Sequence, residues 1–279
     1  MKRTITALIT PFKEGQLDEG GLCKNIYFQL NGGVRELLVL GSTGEAESLS
    51  ESERLRVIQI ARAETQGKFF LWVQTGDSST YRTIKKTQEA EKLGADGALI
   101  VTPYYCRPAQ EGLVHHFETV AHNTNLPILI YHHPKRTGTS LEIATLRHLA
   151  KIKNIVGVKD ASSDVSFVAE LLSHTTNFDI FSGDDLLTLP LLSIGAKGVI
   201  SVISNIMPQK MCELVQSEDK KLYYELFPFL RFLQCETNPI PIKAIMNLMG
   251  MAAGECRLPL TPLNTKHHNQ MKKLFLAHV

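Results

Sequence analysis

Leu93-Gly94-Ala95-Asp96-Gly97-Ala98-Leu99-Ile100-Val101 is the stretch on which the fold turns. The helical periodicity running from Thr80 to Leu93 stops at Gly94, and the apolar run Ala98-Leu99-Ile100-Val101 starts within a few residues. Glycine just past a helix can take the left-handed conformation that closes it without a Cβ clash. Asn31-Gly32-Gly33-Val34 and Ile194-Gly195-Ala196-Lys197-Gly198-Val199 have the same form. A helix that turns on glycine directly into a strand is the joint a repeated βα chain needs.

Outward from that joint, short apolar runs alternate with amphipathic stretches. The runs are Thr6 to Ile9, Glu36 to Leu40, Phe69 to Val73, Ala98 to Val101, Pro127 to Tyr131, Ile155 to Lys159, Phe178 to Phe181 and Gly198 to Val202. Continuously apolar strands suit a parallel sheet covered on both faces. Between them, Ser50-Glu51-Ser52-Glu53 reads as a capping box opening a helix through Ala61, and Thr80 to Leu93 and Gln110 to His122 have helical periodicity. Eight βα units predict an α/β fold of the (β/α)8 TIM-barrel type rather than a six-stranded doubly wound sheet. Beyond Val202 the chain reads as helical, so we expect a barrel over 1–207 and a small C-terminal helical extension over 208–279.

The chain has 279 residues, 43% hydrophobic and 21% charged, with a formal net charge of +2. That is enough to bury a large core. The near-neutral balance gives no electrostatic argument for nucleic acid or a membrane surface as partner. The apolar stretch after Lys2-Arg3 is too short for a secretory h-region and ends at Pro11-Phe12-Lys13-Glu14, which fits a first strand better. Five unclustered cysteines, Cys23, Cys106, Cys212, Cys235 and Cys256, point to a reducing compartment and a cytoplasmic protein.

Active sites of such barrels sit at the C-terminal ends of the strands. The polar groups there are Gly41-Ser42-Thr43-Gly44-Glu45, Thr102-Pro103-Tyr104-Tyr105, Tyr131 through Gly138, Lys159-Asp160 and Ser182-Gly183-Asp184-Asp185. Side chains alternate along a strand, which groups Lys159 with Gly157 and Ile155, and Val156 with Val158. If the valines pack on the helices, Lys159 enters the barrel mouth, where desolvation lowers an amine pKa and permits imine formation with a carbonyl. The ordinary alternative is a strand-end lysine that reaches solvent or pairs with an acid. Tyr131, on the neighbouring strand, could shuttle protons to the amine or be a core tyrosine with a satisfied hydroxyl. The Gly-Ser-Thr-Gly loop could offer N–H groups to a carboxylate, or simply turn. Arg136 could grip a second carboxylate or be solvated. His132 and His133 face opposite ways and do not readily chelate one ion, so no metal site is expected.

In this order and spacing, these segments resemble the dihydrodipicolinate synthase family of pyruvate-dependent aldolases, a superfamily that also contains N-acetylneuraminate lyase. The likeness runs from about Thr4 to Pro262 and includes Leu8-Ile9-Thr10-Pro11-Phe12, Gly157-Val158-Lys159-Asp160 and Asn238-Pro239-Ile240-Pro241-Ile242-Lys243. Tyr104-Tyr105-Cys106-Arg107-Pro108 and Lys135-Arg136-Thr137-Gly138 favour synthase over lyase. The resemblance implies an enzyme without cofactor that condenses pyruvate with L-aspartate 4-semialdehyde in lysine and diaminopimelate biosynthesis. It implies an imine on Lys159, pyruvate carboxylate binding by Ser42 and Thr43, and a proton relay of Tyr131, Thr43 and Tyr105. It further implies Arg136 on the aldehyde's carboxylate, the Ile200 carbonyl near the imine, and a homodimer or homotetramer in which Tyr105 enters the neighbouring site.

Two motifs depart from the family. Its Tyr-Asn-Val-Pro is Tyr131-His132-His133-Pro134 here, and its Lys-Glu-Ala is Lys159-Asp160-Ala161. We expect His132 to alter hydrogen bonding and pH response at the site. Lysine-inhibited relatives place His, Asn and Glu around an interface pocket at positions that here read Glu51, Arg54, Ser78 and Arg82, with Tyr104 retained. Cationic arginines there imply weak or absent lysine inhibition. Two alternatives stay open: another pyruvate-dependent aldolase of the superfamily, or a catalytically silent homologue that binds a 2-oxo acid.

Overall fold

The computed structural model describes residues 2–65 and 67–278; Met1, Gln66 and Val279 lie outside the described residues. Its strands are β1 (Arg3–Ala7), β2 (Phe12–Lys13), β3 (Gln16–Leu17), β4 (Glu36–Val39), β5 (Phe70–Gln74), β6 (Gly97–Val101), β7 (Ile128–His132), β8 (Ile155–Asp160), β9 (Asp179–Ser182) and β10 (Gly198–Ser201). All but β2 and β3 form one closed parallel barrel, in the order β1-β10-β9-β8-β7-β6-β5-β4, with β4 pairing back to β1. This is the (β/α)8 barrel expected from the alternating runs.

The opening joint works as its glycines suggest. Gly94 has φ +87°, and a Cβ on Gly97 would lie 2.4 Å from the Trp72 ring, which needs that space in the barrel interior. Two apolar layers result. Leu37, Val39, Ile100, Ile130 and Val158 point outward into the shell of helices, while Leu38, Trp72, Leu99, Leu129, Tyr131 and Phe181 fill the barrel.

Three details differ from the sequence reading. β1 begins at Arg3 rather than Thr6, because Arg3 to Thr6 pair with Gly198 to Ser201 of β10 and the polar side chains gained are satisfied: the Thr4 hydroxyl donates to Met211 O at 3.5 Å and Arg3 donates to Asp179 at 2.7 Å. The hairpin β2–β3 was not anticipated; it turns on Glu14 (φ 51°) and Gly15 (φ 75°). In β8, the pairing with β7 slips between Ile128 and Leu129, so strict alternation fails at the base of the strand. Ile155 therefore packs with Val158 in the outer layer and Val156 against the interior, the reverse of the grouping expected from alternation. Above the slip, alternation holds, and Lys159 faces inward beside Tyr131 and Phe181.

After β10 come the helices Pro208–Ser217, Lys220–Phe232, Ile240–Leu248 and Thr265–His278. The first of these packs on β1 and β10. The later segments fasten the barrel mouth. Lys243 and Glu45 form a buried ion pair at 2.5 Å, and the Asn238 amide donates to Thr43 Oγ1 at 2.9 Å. The capping box is formed as read: Ser50 N–H donates to Glu53 Oε2 at 2.9 Å and Glu53 N–H to Ser50 Oγ at 3.2 Å. Glu53 also takes Arg257 in a bidentate pair, which holds its carboxyl down to about 2.

Candidate active site

Lys159 and Tyr131 are register partners on adjacent strands near their C-terminal ends. The Lys159 ammonium nitrogen lies 4.3 Å from the centre of the Tyr131 ring, and both residues are buried. Burial lowers the Lys159 pKa to about 7; Asp185 opposes the shift and Arg136 adds to it. Near neutral pH, a substantial fraction of this amine is therefore unprotonated and nucleophilic. Burial raises the Tyr131 phenol, opposed by Arg136 and by a hydrogen bond with the Ser42 side chain. A phenol kept protonated beside an amine can donate and recover a proton.

Around this pair is a cavity of about 350 Å³, whose wall includes Ser42, Thr43, Tyr131, Arg136, Lys159 and Asp185. Ser42 and Thr43 arrive on the loop after β4, between left-handed residues Leu40 (φ 60°) and Glu45 (φ 51°). Gly44 N–H to Gly41 O and Glu45 N–H to Ser42 O close the loop, so neither closing bond uses the N–H of Ser42 or Thr43. That geometry suits a carboxylate. Arg136 is on the short helix Pro134–Thr137 and donates to Asn238 O at 3.0 Å.

Two of the sequence-derived residues stand apart from this wall. Ile200 is buried in the barrel's interior layer on β10. Tyr105 is 93% exposed, with φ 70°. Its side chain does not reach Lys159 within one chain.

The two histidines separate as strand alternation requires. His132 faces outward, where Nδ1 is 2.8 Å from Asp160 Oδ1 and the Leu141 N–H donates to Nε2. His133 lies on the site side, its ring 5.7 Å from that of Tyr131, and is lowered to about 4, chiefly by burial and then by Arg136 and Lys159. The imidazole in the cavity wall is thus that of His133, which burial keeps neutral near pH 7. Sequence reasoning also passed over Asn238, which touches both Thr43 and Arg136, and gave Asp185 no role. Asp185 is buried, accepts the Val202 and Ile203 N–H groups at 2.9 Å each, and is raised by that burial. The doubled Asp184-Asp185 at a strand end was the available signal.

Comparison with known proteins agrees with the fold and the motifs. The model of the dihydrodipicolinate synthetase family matches residues 1–278. A 4-hydroxy-tetrahydrodipicolinate synthase of Protochlamydia amoebophila is 42% identical, over 98% of this chain and 95% of that protein. The solved structure of dihydrodipicolinate synthase from Thermotoga maritima superposes with a TM-score of 0.96 at 38% identity, over 99% of this chain and 98% of that one. The 4-hydroxy-tetrahydrodipicolinate synthase of Methylacidiphilum fumariolicum gives 0.97 at 39% identity, over 100% and 96%. With the match running from end to end of a barrel whose mouth holds a buried lysine, the chain belongs to the dihydrodipicolinate synthetase family.

Proposed function

We propose that Lys159 carries the 4-hydroxy-tetrahydrodipicolinate synthase reaction of this enzyme, in lysine and diaminopimelate biosynthesis. The neutral amine attacks C2 of pyruvate, the carbinolamine loses water, and the imine gives up a C3 proton to become an enamine. The enamine carbon then bonds to the aldehyde carbon of L-aspartate 4-semialdehyde. The observation that carries this reading is the burial of Lys159 in the cavity wall, which brings its pKa to about 7.

Ser42 and Thr43 hold the pyruvate carboxylate through their N–H groups and hydroxyls. Tyr131 and Thr43 move protons as water leaves, and the Ile200 carbonyl lies near the imine. Arg136 grips the carboxylate of the aldehyde substrate. Tyr105, exposed on its own chain, completes the relay from a neighbouring copy, which makes a homodimer the smallest active unit and a tetramer its expected assembly. All five cysteines are free, which supports a reducing cytoplasmic setting; among the described residues no helix is long and apolar enough to cross a membrane.

The test is intact mass and peptide mapping after pyruvate and borohydride. One reduced pyruvyl adduct, on Lys159, is expected. A folded protein without that adduct would overturn the reading.

A further inference from the structure

The cavity that holds Lys159 does not end at Arg136. A second cavity, of about 340 Å³, adjoins it and shares Ser42, Tyr131, His133, Arg136 and Asn238 with the first. It continues past Val101 and Tyr104 and is not lined by Lys159. His133 therefore sits at the waist, on the far side of Tyr131 from the base of the barrel. Its backbone caps the short helix Pro134–Thr137, but its side chain makes no capping hydrogen bond. Its Nδ1 is enclosed and has no partner. A buried polar nitrogen left unpaired is a cost the fold tolerates where a ligand or a function repays it.

We propose that His133 is a specificity-determining residue for the aldehyde substrate, donating a hydrogen bond from Nε2–H to the carboxylate that Arg136 grips. This rests on the function proposed above. The tautomer follows from the enclosure. With no acceptor near Nδ1, that nitrogen keeps the lone pair and the proton sits on Nε2, at the edge of the ring left to line the cavity. Arg136 is three residues on, at the same waist, so one carboxylate can take the guanidinium and the imidazole together. The charges that bear on the ring are cationic: after burial, Arg136, Lys159 and Lys135 all oppose its protonation. Pyruvate is held by Lys159 and the loop after β4 rather than by His133, so loss of the imidazole weakens the second substrate.

His133→Val, which places the family's residue there, and His133→Gln, whose amide N–H reaches about as far as Nε2–H, separate this role from packing. In His133→Val, KM for L-aspartate 4-semialdehyde is expected to rise about tenfold, the scale of one hydrogen bond to a charged group. KM for pyruvate and the extent of borohydride trapping stay within about twofold, which also reports an intact site. His133→Gln recovers most of the loss. An unchanged aldehyde KM in His133→Val, equal losses in both variants, or a parallel rise in pyruvate KM would each overturn the role of His133. Failure of trapping in the unsubstituted protein would instead overturn the imine reading on which it rests.

Discussion

Strands β7 and β8 carry two cross-strand pairs in successive rows: Tyr131 with Lys159, and His132 with Asp160. The first pair faces the barrel mouth and the second the helices, and they are built on opposite principles. Outside, every polar atom of the pair is matched. The Leu141 N–H donates to His132 Nε2, which leaves the proton on Nδ1 for Asp160 Oδ1, while Asp160 Oδ2 accepts from Ser162 Oγ at 2.8 Å. The His132 ring also packs 5.1 Å from that of Phe167. Inside, the Lys159 amine sits over an aromatic ring, and desolvation pushes it toward neutrality. One residue along each strand separates a closed hydrogen-bond network from a reactive group held out of its preferred state.

Two of the three residues that depart from the family pattern, His132 and Asp160, fall on the outer pair and compensate; the third, His133, lines the cavity. Histidine is longer than the asparagine it replaces and aspartate shorter than glutamate, so the pair keeps its reach across one strand spacing. Reactivity is thereby left to the inner pair, and the contrast can be broken most severely there. Lys159→Ala is expected to abolish the pyruvyl adduct and lower kcat by about a thousandfold or more, since it removes the buried amine that forms the imine; residual condensation near the unsubstituted rate would break the comparison at its centre. Tyr131→Phe should lower kcat by about a hundredfold, the lower end for a positioned proton carrier, with the adduct on Lys159 still formed, though slowly. Stopped-flow trapping distinguishes that from simple loss of binding.

The pH dependence sharpens the same contrast. The Lys159 pKa is lowered to about 7, so its ammonium form dominates below that value. The initial rate of pyruvate trapping should fall about tenfold for each pH unit below 7 and level off above it. A rate that kept rising toward pH 10 would mean an unperturbed amine. The outer pair should behave in the opposite way. His132→Ala strands the buried Asp160 and is expected to cost about 3 kcal/mol of stability, read as a lowered denaturation midpoint, with kcat of the folded fraction in the same order of magnitude. Combining His132→Asn with Asp160→Glu should recover more stability than the two single changes predict by addition, a coupling that a double-mutant cycle measures directly.

Most of the barrel was legible because continuous apolar runs and glycine joints report local chemistry. The run from Ile128 to Tyr131 reads as a strand in any context. The slip in β8 was not legible, since it depends on how Ile155 and Val156 meet β7 rather than on their own composition. The same limit applied at the site. Alternation put Lys159 on the face opposite Val158, which the regular strand above the slip keeps, but left open whether that face was the barrel mouth. His133 was legible by the same rule and was passed over: it shares the face of Tyr131, while His132 takes the other. Asn238 comes from the C-terminal segment, and nothing local in Asn238-Pro239 announces a hydrogen bond to Thr43 across the barrel mouth.

The smallest expected effect concerns a third cavity, away from both pairs. It has a volume of about 380 Å³ and is lined by Glu51, Arg54, Tyr81, Arg82, Lys85 and Lys86, among others. Behind its lining residues Arg82 and Lys86, the buried carboxylate of Asp77 is already occupied by Arg82 Nε at 2.8 Å and Lys86 Nζ at 2.6 Å. These partners hold Asp77 far below the usual carboxylate range against the cost of its burial. Glu51 is taken by Lys85 at 3.1 Å. The Arg54 guanidinium, meanwhile, has a carbonyl partner in Ala46 O at 3.3 Å, and burial lowers its pKa. An incoming ammonium would meet fixed cations and would have to displace Arg82 or Lys86 to reach Asp77, exchanging one ion pair for another with no gain. Assays with L-lysine at saturating pyruvate should therefore show unchanged kcat and unchanged KM for the aldehyde. Inhibition in the submillimolar range would mean that Asp77 or Glu51 is free to bind an ammonium, contrary to the pairing described here.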